Sequence, residues 1–263
     1  MVITLSTDSN YVKHACCLLR SIAANSPAVK VHCRAVDCSF EELLVLKNSH
    51  PNLILDVERL NLSTKRQYFR GGTVLSTDLK KRGPHNAYLL SERQCYVSNT
   101  RYRNILYCLE ILKEDIVILL DADAIVRKDI LNLTDFLNQY DVCCNIGCDE
   151  RYPNHRCWEC SCICVKNTVE SIKFFTKVKT ATEKLMFDWD SDQFTIENVY
   201  NSNKNAIKLC ENLSHVEDLN WREITVNNWD TLSYNYSNDT YIWPGSGQAK
   251  FTKTYLDEQN KYV

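Results

Sequence analysis

Three observations predict an α/β protein built on a mostly parallel central sheet flanked by helices, passing into a mixed α+β C-terminal half. Residues 2–57 alternate strand-like and helix-like segments with short connections, the rhythm of a parallel sheet covered on both faces. The run Ile116-Val117-Ile118-Leu119-Leu120 is continuously apolar, as a central strand buried on both faces should be. After Val126 the pattern loosens into separate strands and helices and an aromatic, loop-rich end.

Residues 2–7 read as a short buried strand. Val12, Ala15, Cys16, Leu19, Ile22 and Ala23 then recur at helical spacing. Asp8, Ser9 and Asn10 offer N-cap oxygens before that helix, and Asn25-Ser26-Pro27 stops it. A second strand covers residues 30–37. Ser39 caps a second helix that carries Glu41 and Glu42 in its first turn, where the helix dipole favours acids. A third strand covers residues 53–57. Residues 61–84 show no period but hold Gly71-Gly72, Gly83-Pro84 and the basic residues Lys65, Arg66, Arg70, Lys80, Lys81 and Arg82, which reads as a lid or a disordered loop. A helix over residues 98–113 brings Ile105, Leu109 and Leu112 to one face and leads into the apolar strand. Strands are expected over residues 141–147 and 160–166, and helices over 169–185 and 191–200. The last third, with Trp221, Trp229, Tyr234, Tyr236, Tyr241 and Trp243, is expected to be mostly loop.

At 263 residues the chain suits one domain, residues 1–263. Lys+Arg is 31 against Asp+Glu 33, a net charge of −2 that argues against nucleic acid as a partner. No apolar run approaches the length of a membrane span. A strand starting at Val2 leaves no room for a signal peptide, so the expected compartment is the cytoplasm, with most of the 14 cysteines reduced and the Asn132-Leu133-Thr134 sequon a chance match. Glycine is scarce at 6, and neither a dinucleotide fingerprint nor a Walker loop of standard spelling occurs.

Asp121-Ala122-Asp123 closes the apolar strand. In an extended backbone residues i and i+2 face the same side, so both carboxylates would meet just beyond the carboxyl end of a parallel strand, where open α/β sheets bind ligands. Such a pair suits a hard divalent cation with room for phosphates. The bland alternative is that one Asp caps the next element and the other is solvated. Two chemistries use an apolar strand ending in Asp-x-Asp: metal-assisted transfer from a sugar nucleotide, and haloacid-dehalogenase-type phosphate hydrolysis with the first Asp as nucleophile. The phosphatases normally open their chain with this strand. Here three strands precede it, and Ala124-Ile125 lacks the expected turn, so transfer is favoured.

Four stretches together resemble the nucleotide-diphospho-sugar transferases of the GT-A fold, closest to glycosyltransferase family 8 and the glycogenin-like group. Residues 4–11 (Thr4 to Tyr11) are similar to the family's opening strand and uridine-contacting turn. Thr100-Arg101-Tyr102-Arg103 resembles the start of the helix before its metal strand, residues 118–126 its LDxDxxV core, and Asp192-Gln193 its later Asp-Gln pair. The resemblance implies a nucleotide-sugar-binding half over residues 1–125 and an acceptor-side half over residues 126–263. It also implies a UDP-sugar donor, a retaining hexosyl transfer, and Mn²⁺ or Mg²⁺ on Asp121 and Asp123. The acceptor, a glycan, protein or small molecule, is left open.

On this resemblance Thr7, Asp8 and Tyr11 contact the nucleoside, with the Asp8 carboxylate on the uracil imide and the Tyr11 ring stacked on the base. Arg101 and Arg103 would reach the donor sugar or diphosphate, alongside Ala122 between the two metal acids. Asp192 would bind sugar hydroxyls and Gln193 lie near the reaction centre. Gly245-Ser246-Gly247-Gln248-Ala249-Lys250 resembles the family's late Gly-x-x-Lys segment, with Gly247 permitting close approach and Lys250 neutralising the departing diphosphate. The blander alternatives are an N-capping Asp8 with a surface Tyr11, a solvated arginine pair, an N-capping Asp192 and an exposed Lys250. The pattern breaks at one place: the family's metal-binding His is Pro244 here, after Trp243.

Seven cysteines, Cys143, Cys144, Cys148, Cys157, Cys160, Cys162 and Cys164, cluster in the second half. Cys157-x-x-Cys160 has zinc spacing. Cys160, Cys162 and Cys164 alternate as residues on one face of a strand do, and free Cys packs as a small hydrophobe, so core packing is the expected role, with a zinc site or a disulfide as alternatives. Three rival functions also stand: a phosphatase, a zinc-dependent interaction module, and a catalytically silent nucleotide-sugar-binding protein. The basic loop of residues 61–84 is expected to close over the donor and exclude water.

Overall fold

The computed structural model describes residues 1–70, 87–149, 152–187, 191–211, 223–228, 231–235, 238–245 and 249–263. Strand β1 (Val2–Asp8), helix α1 (Val12–Asn25), β2 (Lys30–Val36), α2 (Phe40–Lys47) and β3 (Leu53–Glu58) form the expected alternating start. β4 (Arg66–Arg70) and β5 (Ala87–Ser91) pair antiparallel. The unpatterned stretch therefore contains a strand, and residues 71–84 of the expected lid lie outside the described residues. Helices α3 (Glu92–Asn99) and α4 (Tyr102–Leu106), with a π-helical turn at Tyr107–Ile111, lead into β6 (Ile116–Leu120). Then follow β7 (Ile125–Val126), α5 (Thr134–Leu137), β8 (Val142–Asp149), β9 (Tyr152–Lys166), α6 (Val169–Thr182), α7 (Ser191–Asn201), β10 (Leu209–Cys210), β11 (Glu223–Asn228), β12 (Thr231–Asn235), β13 (Ile242–Trp243) and α8 (Lys253–Gln259).

The central sheet has seven strands in the order β10-β8-β9-β6-β1-β2-β3. β1 runs parallel to β2 and β6, and β2 to β3, while β9 runs antiparallel to both β6 and β8. Side chains along β6 alternate between two cores, as the period of two requires. Ile116, Ile118 and Leu120 pack with Leu19 and Ile22 of α1 on one face. Val117 and Leu119 pack with Ile105, Phe174, Phe175 and Ile196 of α4, α6 and α7 on the other. Both faces of the sheet are thus covered by helices, and α2 is closed by the expected cap. Ser39 Oγ accepts from Glu42 N at 3.2 Å and Glu42 Oε2 accepts from Ser39 N at 2.6 Å.

Three expectations change. The helix expected over residues 98–113 is two helices, because α3 starts earlier and the chain breaks at Thr100-Arg101. Thr100 Oγ1 donates to Tyr96 O at 2.7 Å and takes a hydrogen bond from the buried Arg34 guanidinium. Strand β9 begins well before residue 160 and carries a bulge, its pairing with β8 passing from Cys144↔Ile163 to Asn145↔Glu159. The extra residues turn Cys160 to the opposite face from Cys162 and Cys164, so the three do not share one face. Among the described residues of the aromatic end β11 and β12 pair and α8 packs on the domain through Tyr255, where loop was expected, while Trp221, Trp229 and Tyr236 lie outside the described residues. The twelve cysteines whose side chains are described are buried thiols. Burial pushes the thiols of Cys38 and Cys108 up to about 12, so they are protonated at neutral pH. The side chains of Cys148 and Cys157 lie outside those described.

His32 gives the fold a pH signature. Its side chain is buried on β2, with Nδ1 2.9 Å from Thr4 Oγ1 and the ring stacked 4.8 Å from Tyr107. Burial disfavours the imidazolium and lowers the pKa to about 4 from 6.5. The unfolded chain therefore binds a proton that the native chain does not, and the contribution, complete above pH 6.5, is lost as the pH falls toward 4. Over that window His32 should remove up to about 3 kcal/mol of stability. His32→Gln should flatten the slope of unfolding free energy against pH in denaturant titrations, and an unchanged slope would show that another group sets it.

Candidate active site

β1 and β6 are parallel neighbours, so Asp8 and Asp121 leave the sheet at the same, carboxyl end. After Leu120 the backbone does not stay extended. Asp121 N donates to Ser161 O at 3.0 Å, and Ala124 N closes a turn onto Asp121 O at 3.0 Å. The two carboxylates are therefore not brought together by the i, i+2 alternation of an extended strand, and the turn holds them near each other instead. Burial raises the pKa of Asp121, the neighbouring charges of Asp123 and Asp192 push the same way, and Arg101 opposes them.

Arg101 is the hub of this cluster. The break between α3 and α4 turns its side chain inward, where it is 14% exposed. Nη1 donates to Asp121 Oδ1 at 2.8 Å and to Cys160 O at 2.9 Å, and Nε donates to Ser98 O at 2.8 Å. Nη2 donates to Ser98 Oγ at 2.6 Å, and Nε also lies 3.3 Å from Asp192 Oδ2. The β9 bulge supplies two of the backbone carbonyls, with Cys160 O taking Arg101 and Ser161 O taking the amide of Asp121. Asp192 stands in the first turn of α7, its amide on Asn99 Oδ1 at 3.1 Å and its Oδ1 accepting from Gln193 N at 3.0 Å. Burial raises its pKa while Arg101 lowers it.

On the other side, Lys250 Nζ lies 3.0 Å from Asp123 Oδ2 and donates to the Tyr11 hydroxyl at 3.2 Å. The ammonium also lies 5.1 Å from the centre of the Tyr11 ring. Burial works against the ammonium, but Asp123 and Tyr11 outweigh it and its pKa is raised. The C-terminal segment reaches this place because β13 pairs with β7 just beyond the aspartates, and Ile125, Trp243 and Tyr255 form a small core there. Tyr255 donates its hydroxyl to Asp123 O at 2.5 Å. Gly245 lies so close to Asp123 that a Cβ would stand 2.3 Å from its carbonyl oxygen.

Asp8 is buried, with Oδ1 accepting from the amides of Asn10 at 3.0 Å and Tyr11 at 3.2 Å, so it also closes the turn into α1. Burial raises its pKa, against those hydrogen bonds and the charge of Arg93. Thr7 is buried and donates to Asp8 O at 3.3 Å, and Ala122 packs into the core on the α1 side. Arg103 faces a separate network, with Nε 2.5 Å from Glu183 Oε1, Nη1 2.8 Å from the Tyr96 hydroxyl and Nη1 3.5 Å from Glu58 Oε1. Gly247 lies outside the described residues. The sequence did not single out Arg93, which donates to Ser9 Oγ at 2.6 Å beside Asp8, or Tyr255, and within the Gly245–Lys250 segment it assigned the close approach to Gly247 rather than Gly245. A glycine directly after Pro244 was the one available signal for the close approach.

Asp121 and Asp123 fit a hard divalent cation by their chemistry. Each is bonded through a single oxygen, leaving Asp121 Oδ2 and Asp123 Oδ1 without a hydrogen bond among the described residues. Two carboxylates are what Mg²⁺-type ions commonly take from a protein, with phosphate and water completing the shell. Among the described residues no group of three or more His, Cys, Asp or Glu is arranged to hold a metal. No described helix is long and apolar enough to cross a membrane.

The fold matches solved glycosyltransferases. The galactosyltransferase LgtC, solved with donor and acceptor sugar analogues, is 17% identical over 81% of this chain and 74% of its own, with a TM-score of 0.50. An active-site variant of LgtC with a glutamine changed to glutamate gives the same 17% and 0.50 over 81% of this chain and 73% of its own. The bifunctional glycosyltransferase WbbM, in its apo form, is 14% identical with a TM-score of 0.58, covering 100% of this chain and 49% of its own, so this chain spans about half the length of WbbM. A sequence search of curated proteins finds no match. These likenesses define a GT-A-type glycosyltransferase fold. The sequence model of the nucleotide-diphospho-sugar transferases matches residues 76–242, well over half of the chain, and the chain belongs to that family. It is thus a glycosyltransferase by family, which displaces the phosphatase alternative.

The contact at Gly245 makes a direct test of this geometry. Gly245→Ala must push Asp123 or the C-terminal segment aside and should cost about 1–3 kcal/mol, as overpacking does elsewhere. Chemical unfolding of the variant checks this, and wild-type stability would show that the two segments are not held in contact.

Proposed function

We propose that the chain transfers a hexose from a UDP-sugar to an acceptor hydroxyl with retention of anomeric configuration, assisted by Mn²⁺ or Mg²⁺ on Asp121 and Asp123. The observation that carries this reading is the convergence of Asp121, Asp123, Asp192, Arg101 and Lys250 beyond the carboxyl end of the central strand. The donor would sit on residues 1–125 and the acceptor against residues 126–263. The resemblance to glycosyltransferase family 8 supports the finer assignments below.

The Asp8 carboxylate accepts the imide N–H of uracil, and Tyr11 offers its ring to the base. When bound, the metal ion supplies positive charge to the diphosphate, where negative charge grows as the sugar–phosphate bond lengthens. Lys250 neutralises the same charge from the protein side, and Gly247 lets its loop approach. Arg101 holds Asp121 and Asp192 in fixed relation. Asp192 binds hydroxyls of the donor sugar, and Gln193, next in the first turn of α7, lies near the reaction centre.

Thermal-shift titration with UDP, GDP and ADP, with and without Mn²⁺, tests the reading. UDP with Mn²⁺ should raise the melting temperature most, and EDTA should abolish the rise. Asp121→Asn and Asp123→Asn should stay folded and lose it, while Asp192→Asn should keep the UDP response but lower donor hydrolysis by roughly 10²–10³. Equal responses to the three nucleotides would remove the uridine assignment. An unchanged Mn²⁺ response in both aspartate variants would remove the metal site.

A further inference from the structure

Asp123 already holds a cation. Lys250 Nζ lies 3.0 Å from its Oδ2, with the Lys250 side chain 16% exposed and that of Asp123 8% exposed. A pair this sheltered is screened less by solvent than a surface ion pair. The ammonium is further tied to Tyr11 by its hydroxyl at 3.2 Å and its ring face. The carboxylate is fixed in turn. Tyr255 grips the Asp123 carbonyl at 2.5 Å, and Gly245 packs against its backbone. Asp123 therefore has little freedom to present itself to a new cation while Lys250 stays in place.

A divalent ion entering alone would come up against an ammonium on the same carboxylate, and the two cations would repel. A nucleoside diphosphate changes this, because its oxygens offer Lys250 another anion. The metal would then meet Asp123 with the ammonium drawn away. Resting on the reading of Asp121 and Asp123 as metal ligands, we propose that Lys250 is a resident counter-ion that makes divalent-cation binding conditional on the diphosphate, so that metal and nucleotide bind as one unit. The same ammonium thus serves two partners in turn, Asp123 before binding and the diphosphate after it. Binding linkage requires the effect to be reciprocal. Whatever factor the nucleotide adds to metal affinity, the metal adds to nucleotide affinity.

The test is Mn²⁺ titration of the whole chain followed by electron paramagnetic resonance of the free ion, with and without UDP, on wild type, Lys250→Met, Tyr11→Phe and Asp123→Asn. Wild type should bind Mn²⁺ weakly alone and roughly tenfold or more tightly with UDP. Lys250→Met, which keeps an unbranched stem without the charge, should bind Mn²⁺ alone roughly tenfold more tightly than wild type, and UDP should enhance it correspondingly less. Tyr11→Phe keeps the ring but loses the hydroxyl that anchors the ammonium, and should move both quantities the same way by a smaller factor. Circular dichroism of each variant identifies any that fails to fold, and the Tyr11 variant then carries the test. If Lys250→Met and Tyr11→Phe bind Mn²⁺ alone no more tightly than wild type, the counter-ion role is overturned. If Asp123→Asn binds Mn²⁺ as wild type does, it is the metal-site reading that fails, and the inference falls with it.

Discussion

A buried guanidinium that must be paired sets the geometry beyond the carboxyl end of the central strand. Arg101 lies among groups that leave it little water, and such a charge is tolerated only when nearby acceptors replace its hydration. Asp121, Asp192, Ser98 and the Cys160 carbonyl supply those acceptors. Each comes from a different place: the end of β6, the first turn of α7, the end of α3 and the bulge of β9. Removing either carboxylate would leave a buried charge unbalanced, and removing Ser98 or the Cys160 carbonyl would leave a guanidinium N–H unpaired, so the four elements are held in register by the same requirement. The break between α3 and α4 and the bulge in β9 are both local defects in regular structure, and both point donors or acceptors at this one side chain.

Lys250 performs a related task from the other side, but less permanently. Arg101 is enclosed by elements of the domain's core, whereas Lys250 lies in the C-terminal segment that packs on the aspartate turn through β13, Gly245 and Tyr255. Arginine's fork is suited to a fixed position between two carboxylates, while lysine's flexible stem allows it to change partner. This difference suits Arg101 to a fixed pairing and Lys250 to the change of partner proposed for it. On the proposed reading, a site whose second carboxylate is first guarded by an ammonium and then completed by diphosphate oxygens would not require an imidazole in the place of Pro244.

The sequence made the frame of the fold legible because that frame rests on periodicity. Ile116 to Leu120 could only be a central strand, and the capping box at Ser39 and Glu42 is a local pattern with a local cause. The site was legible in its residue types but not in its pairings. Asp121 and Asp123 stood out, yet the turn that joins them depends on Ala124 returning to Asp121, which periodicity does not encode. Arg101 was visible as an arginine near a helix start, while its inward direction depends on the interruption at Thr100, where a buried Arg34 from β2 bonds the threonine. That contact joins residues far apart in sequence. Arg101 and Arg103 looked alike in sequence and diverge in space because the chain breaks before one and coils into α4 at the other.

A single guanidinium holds both Asp121 and Asp192, so the two acids should act as one unit. A double-mutant cycle on donor hydrolysis measures this directly, comparing kcat/KM for Asp121→Asn, Asp192→Asn and the pair. Neighbours that share a partner couple by about 0.5–3 kcal/mol, whereas independent sites add within about 0.5 kcal/mol. The account predicts a loss in the double variant well short of the combined single losses. Additive losses would show that the two carboxylates act independently and that Arg101 does not join them into one site.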